Sequence, residues 1–411
     1  MEDQPIGRRV AYWRNRRRMS QQLFADRLGK SKSWVDKVER GVRRLDKYST
    51  IAEIAEVLQV DVSELTGGRE QPRRSEVGSP LVGQAEVDEI RAALERYDTL
   101  TSFHISNGCA MPLAELRKSV GHAWMTFQHA NYTYLAKGLP KLILDAQAAD
   151  GTGPDAAHGA YLLAEVYQIA SATLRKLGVH DLAWICADRA MGVCQRAGDE
   201  LLAALSTDQV AAALSALGRV RSALALSLSL AEHLAPRPGE ETTPQRLAVY
   251  GTALLGGALA AARLGDETTT RDLLATADEA AKKVGDSNHY GTSFGPTNVA
   301  FYQVEAEIEL GQGARAVRTH HGIDPDGYRG MPAERRASHQ VNVARAYLHI
   351  GNLTRAGEAL VAAKRLAPCE LRLRPDAQGV VVELLRRTNG STSLPALREL
   401  ADDVGFPGAA A

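Results

Sequence analysis

Apolar residues recur every three to four positions along almost the whole chain, and strict alternation is scarce, so the pattern predicts helices throughout. At the N-terminus, Ile6, Val10, Trp13 and Met19 mark one stripe over Ile6–Met19. Ser20 is a good helix cap, and Leu23, Phe24, Ala25 and Leu28 follow at helical spacing. Gly29 stands where a helix ends in a left-handed residue. Ser31 caps the next helix, Val35 and Val38 carry its buried stripe, and Glu39 and Gly41 close it. Tyr48 to Leu58 is a further helix with Ile51, Ile54, Ala55 and Leu58 inward. Val60, Val62 and Leu65 suggest a short fifth one after Asp61 or Ser63.

Beyond this unit the pattern breaks, then repeats. Residues 67–83, GGREQPRRSEVGSPLVG, draw no helical face and read as a linker. From residue 84 to 390 a helical array is expected, with 391–411 as a final helix and tail. Within the array Leu177-Gly178, Leu217-Gly218, Leu264-Gly265, Leu310-Gly311 and Ile350-Gly351 each end one apolar helix before another. These glycines stand 40, 47, 46 and 40 residues apart, a period typical of stacked helix pairs.

The first 66 residues resemble the lambda-repressor-like, or xenobiotic-response-element (XRE), helix-turn-helix domain. MSQQLFADRLGKSKSWVDKVERG, an Arg pair and IAEIAEVLQVDVSEL carry the likeness. The resemblance implies that Lys32, Ser33 and Lys37 face base edges, with Gln21, Trp34, Arg40, Arg43 and Arg44 nearer phosphates. Trp34 is bulkier than the small polar residues common there and suits packing on sugar or a thymine methyl; Phe24 reads as packing only. Charge agrees. Residues 1–50 hold 14 Lys and Arg against 6 Asp and Glu, net +8, whereas the rest of a formally neutral chain carries net −8. Arg14, Arg16, Arg17 and Arg18 form a basic run of the kind that gives salt-sensitive phosphate affinity, while base-edge contacts give sequence preference.

VNVARAYLHIGNLTRAGEALVAAKRLAP resembles a tetratricopeptide repeat (TPR), with Ala344, Tyr347, Ala356, Leu360, Ala363 and Pro368 at its characteristic positions. That resemblance implies an open superhelix whose concave groove is walled by first helices. Its groove positions fall on Glu165, Gln168 and Arg175, then Asp208 and Gln209, then Asn298, Tyr302 and Glu305, then Asn342 and Arg345. Asn and Gln offer donor and acceptor together and suit a peptide backbone. The plain alternative is the wetted side of amphipathic helices. FGPTNVAFYQVEAEIELG resembles a stretch typical of actinobacterial regulators that join an XRE domain to TPR repeats. The loop HYGTSFGPTN, 289–298, either rims a ligand pocket or supplies helix-start chemistry through Pro296 and Thr297.

Other chemistry is thin. The four cysteines, 109, 186, 194 and 369, fit no zinc spacing, and Cys186 and Cys194 read as small buried hydrophobes. His320-His321 reads as a solvated loop dipeptide. No nucleophile elbow, HExxH or phosphate loop occurs, so no enzyme, cofactor or metal is expected. No signal-peptide pattern or membrane-length apolar run is present. The expectation is therefore all-α: a five-helix lambda-repressor-like DNA-binding domain followed by a TPR-like α-solenoid. Its expected function is that of a cytoplasmic, nucleoid-associated, homodimeric transcriptional regulator that binds an operator and senses a peptide or small-molecule effector. Two other readings stay open: a DNA-localised adaptor gripping a partner protein's tail, and a small-molecule sensor with an enclosed apolar pocket.

Overall fold

The structure is a computed structural model. It describes residues 6–16, 19–28, 30–42, 54, 57–58, 84–95, 111–151, 155–237, 239, 242–388 and 400–401. The chain divides into two compact units, Met1–Ser79 and Pro80–Ala411. Every regular element among the described residues is helical.

The first unit contains α1 (Ile6–Arg16), α2 (Gln21–Arg27) and α3 (Lys32–Glu39), with Ile54, Val57 and Leu58 also helical. Ser20 and Ser31 accept from the backbone N–H of Leu23 and Trp34, both at 3.1 Å, so both expected caps form. Val10, Phe24, Ala25, Val35, Ile54 and Leu58 make a closed core. One polar interaction is buried with it. Arg14 meets Glu39 through two hydrogen bonds, Nε to Oε1 at 2.5 Å and Nη2 to Oε2 at 3.1 Å, and donates to the Met19 carbonyl at 2.6 Å. Arg14 is therefore withdrawn from the expected phosphate-binding run and ties α1 to α3. Gly29, Arg17, Arg18, the expected fifth helix and the linker lie outside the described residues.

The second unit begins with α4 (Gln84–Glu95), α5 (Leu113–Gln128) and α6 (Tyr132–Ala149). Helix pairs follow: α7 (Ala156–Lys176) with α8 (His180–Ala197), α9 (Glu200–Ala216) with α10 (Val220–Leu234), and α11 (Pro244–Arg263) with α12 (Glu267–Val284). After a 3-10 turn at His289–Gly291 come α13 (Pro296–Glu309), α14 (Gly313–His321), α15 (Pro325–Gly330), α16 (Ala333–His349), α17 (Leu353–Leu366), α18 (Pro368–Leu373) and α19 (Pro375–Arg387).

All five turn glycines adopt the left-handed conformation, with φ between 74° and 77°. At each, the residue after glycine bonds back across the helix end, as Val179 N–H does to the Leu174 carbonyl at 2.9 Å. This is the Schellman closure, and a side chain at such a φ is strained. The repeat period thus arises from helix stops that only glycine makes at low cost.

Helices α7, α9, α11, α13 and α16 stack side by side as an inner row. The row does not stay open as the repeat resemblance implied. Helix α16 also packs against α5, which packs against α7, so the first helices form a ring around a lumen. Ala130, Tyr132, Ala337 and Ala367 seal the join. Beside them lies a buried polar cluster. Glu370 accepts from the Tyr132 hydroxyl, from Lys176 Nζ at 2.9 Å and from Arg374 Nη1 at 2.7 Å, and Lys176 also pairs with Glu334. Burial alone would raise the Glu370 carboxyl, but Lys176 and Arg374 outweigh it and hold it down at about 2.

Removing one member of a buried, hydrogen-bonded ion cluster leaves uncompensated charge, so Glu370→Ala is expected to lower unfolding stability by about 3 kcal/mol at pH 7. Arg355→Ala, which breaks an exposed pair with Glu358, is expected to cost at most about 1 kcal/mol. Because the folded-state value of Glu370 lies below the ordinary 4.5, its contribution is full above that pH and fades toward pH 2. The gap between wild type and Glu370→Ala in urea unfolding should narrow over that window.

Candidate functional site

Two candidate sites are present, one in each unit. In the first, α3 presents one polar side outward. Its buried stripe, Val35, Val38 and Glu39, holds it against the core, which leaves Lys32, Ser33, Lys37 and Arg40 exposed together. Arg40 is lightly held by Asp36 at 3.3 Å. Trp34 is half-buried and packs on the domain's own core, so part of its bulk is a structural prop. Gln21, at the start of α2, donates to Glu39 at 2.8 Å and is oriented by the buried pair. Arg16 stacks over Trp13 at 5.3 Å. Arg43 and Arg44 lie outside the described residues. The result is a rigid helix with a cationic face, placed by caps and a core and suited to the major groove.

In the second unit the ten groove candidates lie on inner-row helices, and none is exposed. Gln168, Asn298 and Asn342 are buried, and the other seven are half-buried. They also meet one another. Arg175 donates to Gln209 at 2.7 Å, Asn342 to Glu305 at 3.1 Å, and Arg345 to Asn342 and to Glu309 at 2.9 Å. Gln168 bonds Ser206 at 2.8 Å, and Asn298 donates to the Thr292 carbonyl at 3.4 Å. Their placement is thus on the inner face of the row and not on a solvated outer face. Arg263, Glu334 and Arg335 join this network and escaped the repeat register. Their signal is charge on otherwise apolar inner helices, as in the Glu334-Arg335-Arg336 run.

Glu165 and Asp208 are electrostatically strained. Burial raises Glu165 to about 7 against a hydrogen bond from Trp124 Nε1 at 3.2 Å and the charge of Arg117. Burial likewise raises Asp208 to about 6, although Arg175 and Arg335 oppose it.

A cavity of about 470 Å³ opens near one end of the same α7 face, lined by His158, Tyr161, Asp199, Glu200 and Tyr290. The 289–298 loop supplies helix-start chemistry and also reaches this cavity through Tyr290. Pro296 starts α13, with Thr297 bonded through N–H and hydroxyl to Asp286 at 3.0 and 2.7 Å. Tyr290, at φ 52°, turns to the cavity and reaches Asp199 at 3.3 Å. Phe294 anchors the loop in the core against Gly251, where a Cβ would collide with its ring.

His320 and His321 form the last turn of α14 and are not a solvated loop pair. His320 Nδ1 lies 3.0 Å from His339 Nε2, and His339 stacks on Phe301 at 4.0 Å. His339 Nδ1 is buried without a partner, which favours the tautomer that keeps the proton on Nε2. Burial pushes the two rings down to about 4 and about 3, so both are neutral at pH 7. Sequence reading missed this pair because its members lie 19 residues apart on different helices. Cys186 and Cys194 are buried and free, and burial pushes the Cys186 thiol up to about 12, as expected of inert core thiols.

Residues 5–66 match the family model for the helix-turn-helix domain. The N-terminal unit carries a helix-turn-helix domain. No curated protein matches the chain. Among solved structures, the chain is similar to Bacillus thuringiensis PlcR in complex with the peptide PapR7 and DNA. That likeness has 11% identity and a TM-score of 0.35, covering 88% of this chain and 98% of that one. Outside the helix-turn-helix domain, among the described residues, no helix is long and apolar enough to cross a membrane.

Glu165 supplies a check on the lumen's polarity. Its folded-state value near 7 lies above the ordinary 4.5, so the folded chain holds a proton the unfolded chain has released. Stability then falls as pH rises between those values. Glu165→Gln removes that penalty. In paired thermal unfolding, the variant should gain on wild type between pH 5 and pH 8, and a pH-independent difference would contradict the buried setting.

Proposed function

We propose that this chain is a sequence-specific DNA-binding transcriptional regulator whose helical-repeat unit dimerises and senses an effector. The observation that carries the reading is the capped, core-backed α3 with Lys32, Ser33, Lys37 and Arg40 exposed on a domain that matches the helix-turn-helix family. Lys32, Ser33 and Lys37 read base edges; Trp34, Arg40 and Gln21 sit toward the backbone, with Arg43 and Arg44 beyond them in sequence. A dimer of such domains reads two half-sites about 34 Å apart, so small changes in head spacing alter affinity.

The effector chamber is the lumen of the repeat ring, walled by Glu165, Arg175, Asp208, Gln209, Tyr302, Glu305, Asn342 and Arg345. Gln168 and Asn298 act behind that wall as braces. Ring closure favours a compact ligand or a short peptide over the long tail of a partner protein. The polar wall favours a hydrogen-bonding ligand over a greasy one.

Selection of binding sites from random DNA with the purified chain, followed by footprinting, tests the first half. Lys37→Ala is expected to weaken the selected site by about 1–3 kcal/mol and relax preference at one position, whereas Arg40→Ala should weaken all sequences alike and reduce the salt slope by about 1. A Lys37→Ala variant that binds like wild type would overturn the placement of α3. Residues 1–79 alone are expected to bind weakly and with steep salt dependence; tight binding by that piece would show that the repeat unit is not the dimeriser.

A further inference from the structure

The lumen's charges pair off almost completely. Lys176 and Arg374 answer Glu334 and Glu370. Arg263 lies 3.6 Å from Glu305, and Arg345 lies 2.9 Å from Glu309. What remains is Arg175 and Arg335 against Asp208 and Glu165, two acids whose carboxyls burial raises. Arg175 on α7 uses one terminal nitrogen on Gln209, and its Nε is buried without a partner. Arg335 on α16 lies over the Tyr302 ring at 5.9 Å and reaches Glu334 only at 3.6 Å. Asp208 on α9 has no hydrogen-bond or ion-pair partner among the described residues, although both guanidinium groups act on it through space. Gly256, inside α11, lies beneath it; a Cβ there would come within 3.2 Å of Asp208 Oδ1. Glycine inside a helix costs about 1 kcal/mol relative to alanine, and here it lets α11 approach an unbonded carboxylate closely.

A guanidinium offers a planar fork of donors matched to a carboxylate. Asp208 supplies negative charge to the two forks without bonding to either. We propose that Arg175, Arg335 and Tyr302 form a receptor for a single carboxylate group, with Asp208 as the internal counter-charge that the ligand replaces. This rests on reading the lumen as the effector chamber and names the chemistry of its ligand. The carboxylate belongs either to a free organic acid or to the C-terminus of a peptide.

The test uses the full chain with propionate, N-acetyl-trialanine and the C-terminal amide of that peptide as probes, and sodium chloride as the ionic control. Thermal unfolding is expected to shift saturably with propionate beyond the effect of equal chloride. A shift with N-acetyl-trialanine but not with its amide supports the peptide source; a shift with propionate alone supports the free acid. Arg335→Met should abolish the shift. Asp208→Asn removes the competing charge and should tighten binding about tenfold, a gain that a purely structural role does not give. If Arg335→Met fails to fold, the Asp208→Asn gain decides. Propionate no better than chloride in both wild type and Asp208→Asn overturns the receptor, as does amide binding equal to acid. Operator affinity measured in the same titrations separates the two claims. Saturable carboxylate binding with unchanged operator affinity overturns the effector chamber and leaves the receptor standing.

Discussion

The repeat unit depends on the closure of its inner row, and that closure is made by Glu370. A solenoid of helix pairs has no intrinsic reason to end where it began, since each pair needs only its neighbours to bury its apolar face. Here Glu370 sits fully buried between Tyr132 of α6, Lys176 of α7 and Arg374 just beyond α18. A carboxylate removed from water is costly unless several donors meet it. Arg374 is a local donor four residues away, but Tyr132 and Lys176 come from the other end of the array, so Glu370 has its full set of donors only when the ring is closed. The apolar seal around Tyr132 and Ala337 adds area, but the charge cluster makes the join specific.

Closure changes what the inner face can be. On an open superhelix, Arg175, Asp208 and Glu305 would be ordinary hydrated groups. Inside a ring they share a confined space with many charges. That is why burial raises Asp208 and Glu165 while it lowers Arg175. Bonds such as Arg175–Gln209 and Asn342–Glu305 link successive inner helices and fix the spacing of the wall.

The sequence revealed whatever depends on local chemistry. Ser20 and Ser31 cap because hydroxyls near free N–H groups have little alternative. The five glycines stop helices because their neighbours' backbone geometry demands a left-handed residue. The register from those glycines also selected inner-row residues, since helical periodicity keeps one face inward once the turn is placed. The expected base-facing residues of α3 are exposed for the same reason. What stayed illegible was set by distance along the chain. Tyr132 and Glu370 stand 238 residues apart, and nothing in either segment announces the other. Arg14 looked like one more cation in a basic run, yet its partner Glu39 lies 25 residues away on a different helix. The residues that complete the lumen, Glu334 and Arg335, sit outside any repeat consensus and acquire meaning only when α16 reaches α5.

The closing cluster and the proposed carboxylate receptor share neighbouring residues. Arg175 precedes Lys176 on α7, and Glu334 precedes Arg335 on α16. Lys176 and Glu334 pair across the join, and Arg175 and Arg335 flank the same seam from the lumen. Two guanidinium groups repel, and Asp208 offsets that repulsion from beside them. A ligand carboxylate between them reverses that sign and turns repulsion into a bridge. An effector shifts a conformational equilibrium only by its differential interaction with the two states. A closed ring offers both guanidinium groups at once, whereas an opened one offers them singly. On the proposed receptor, differential affinity would come from the geometry of the seam, and its magnitude would be bounded by the gain from the second arginine.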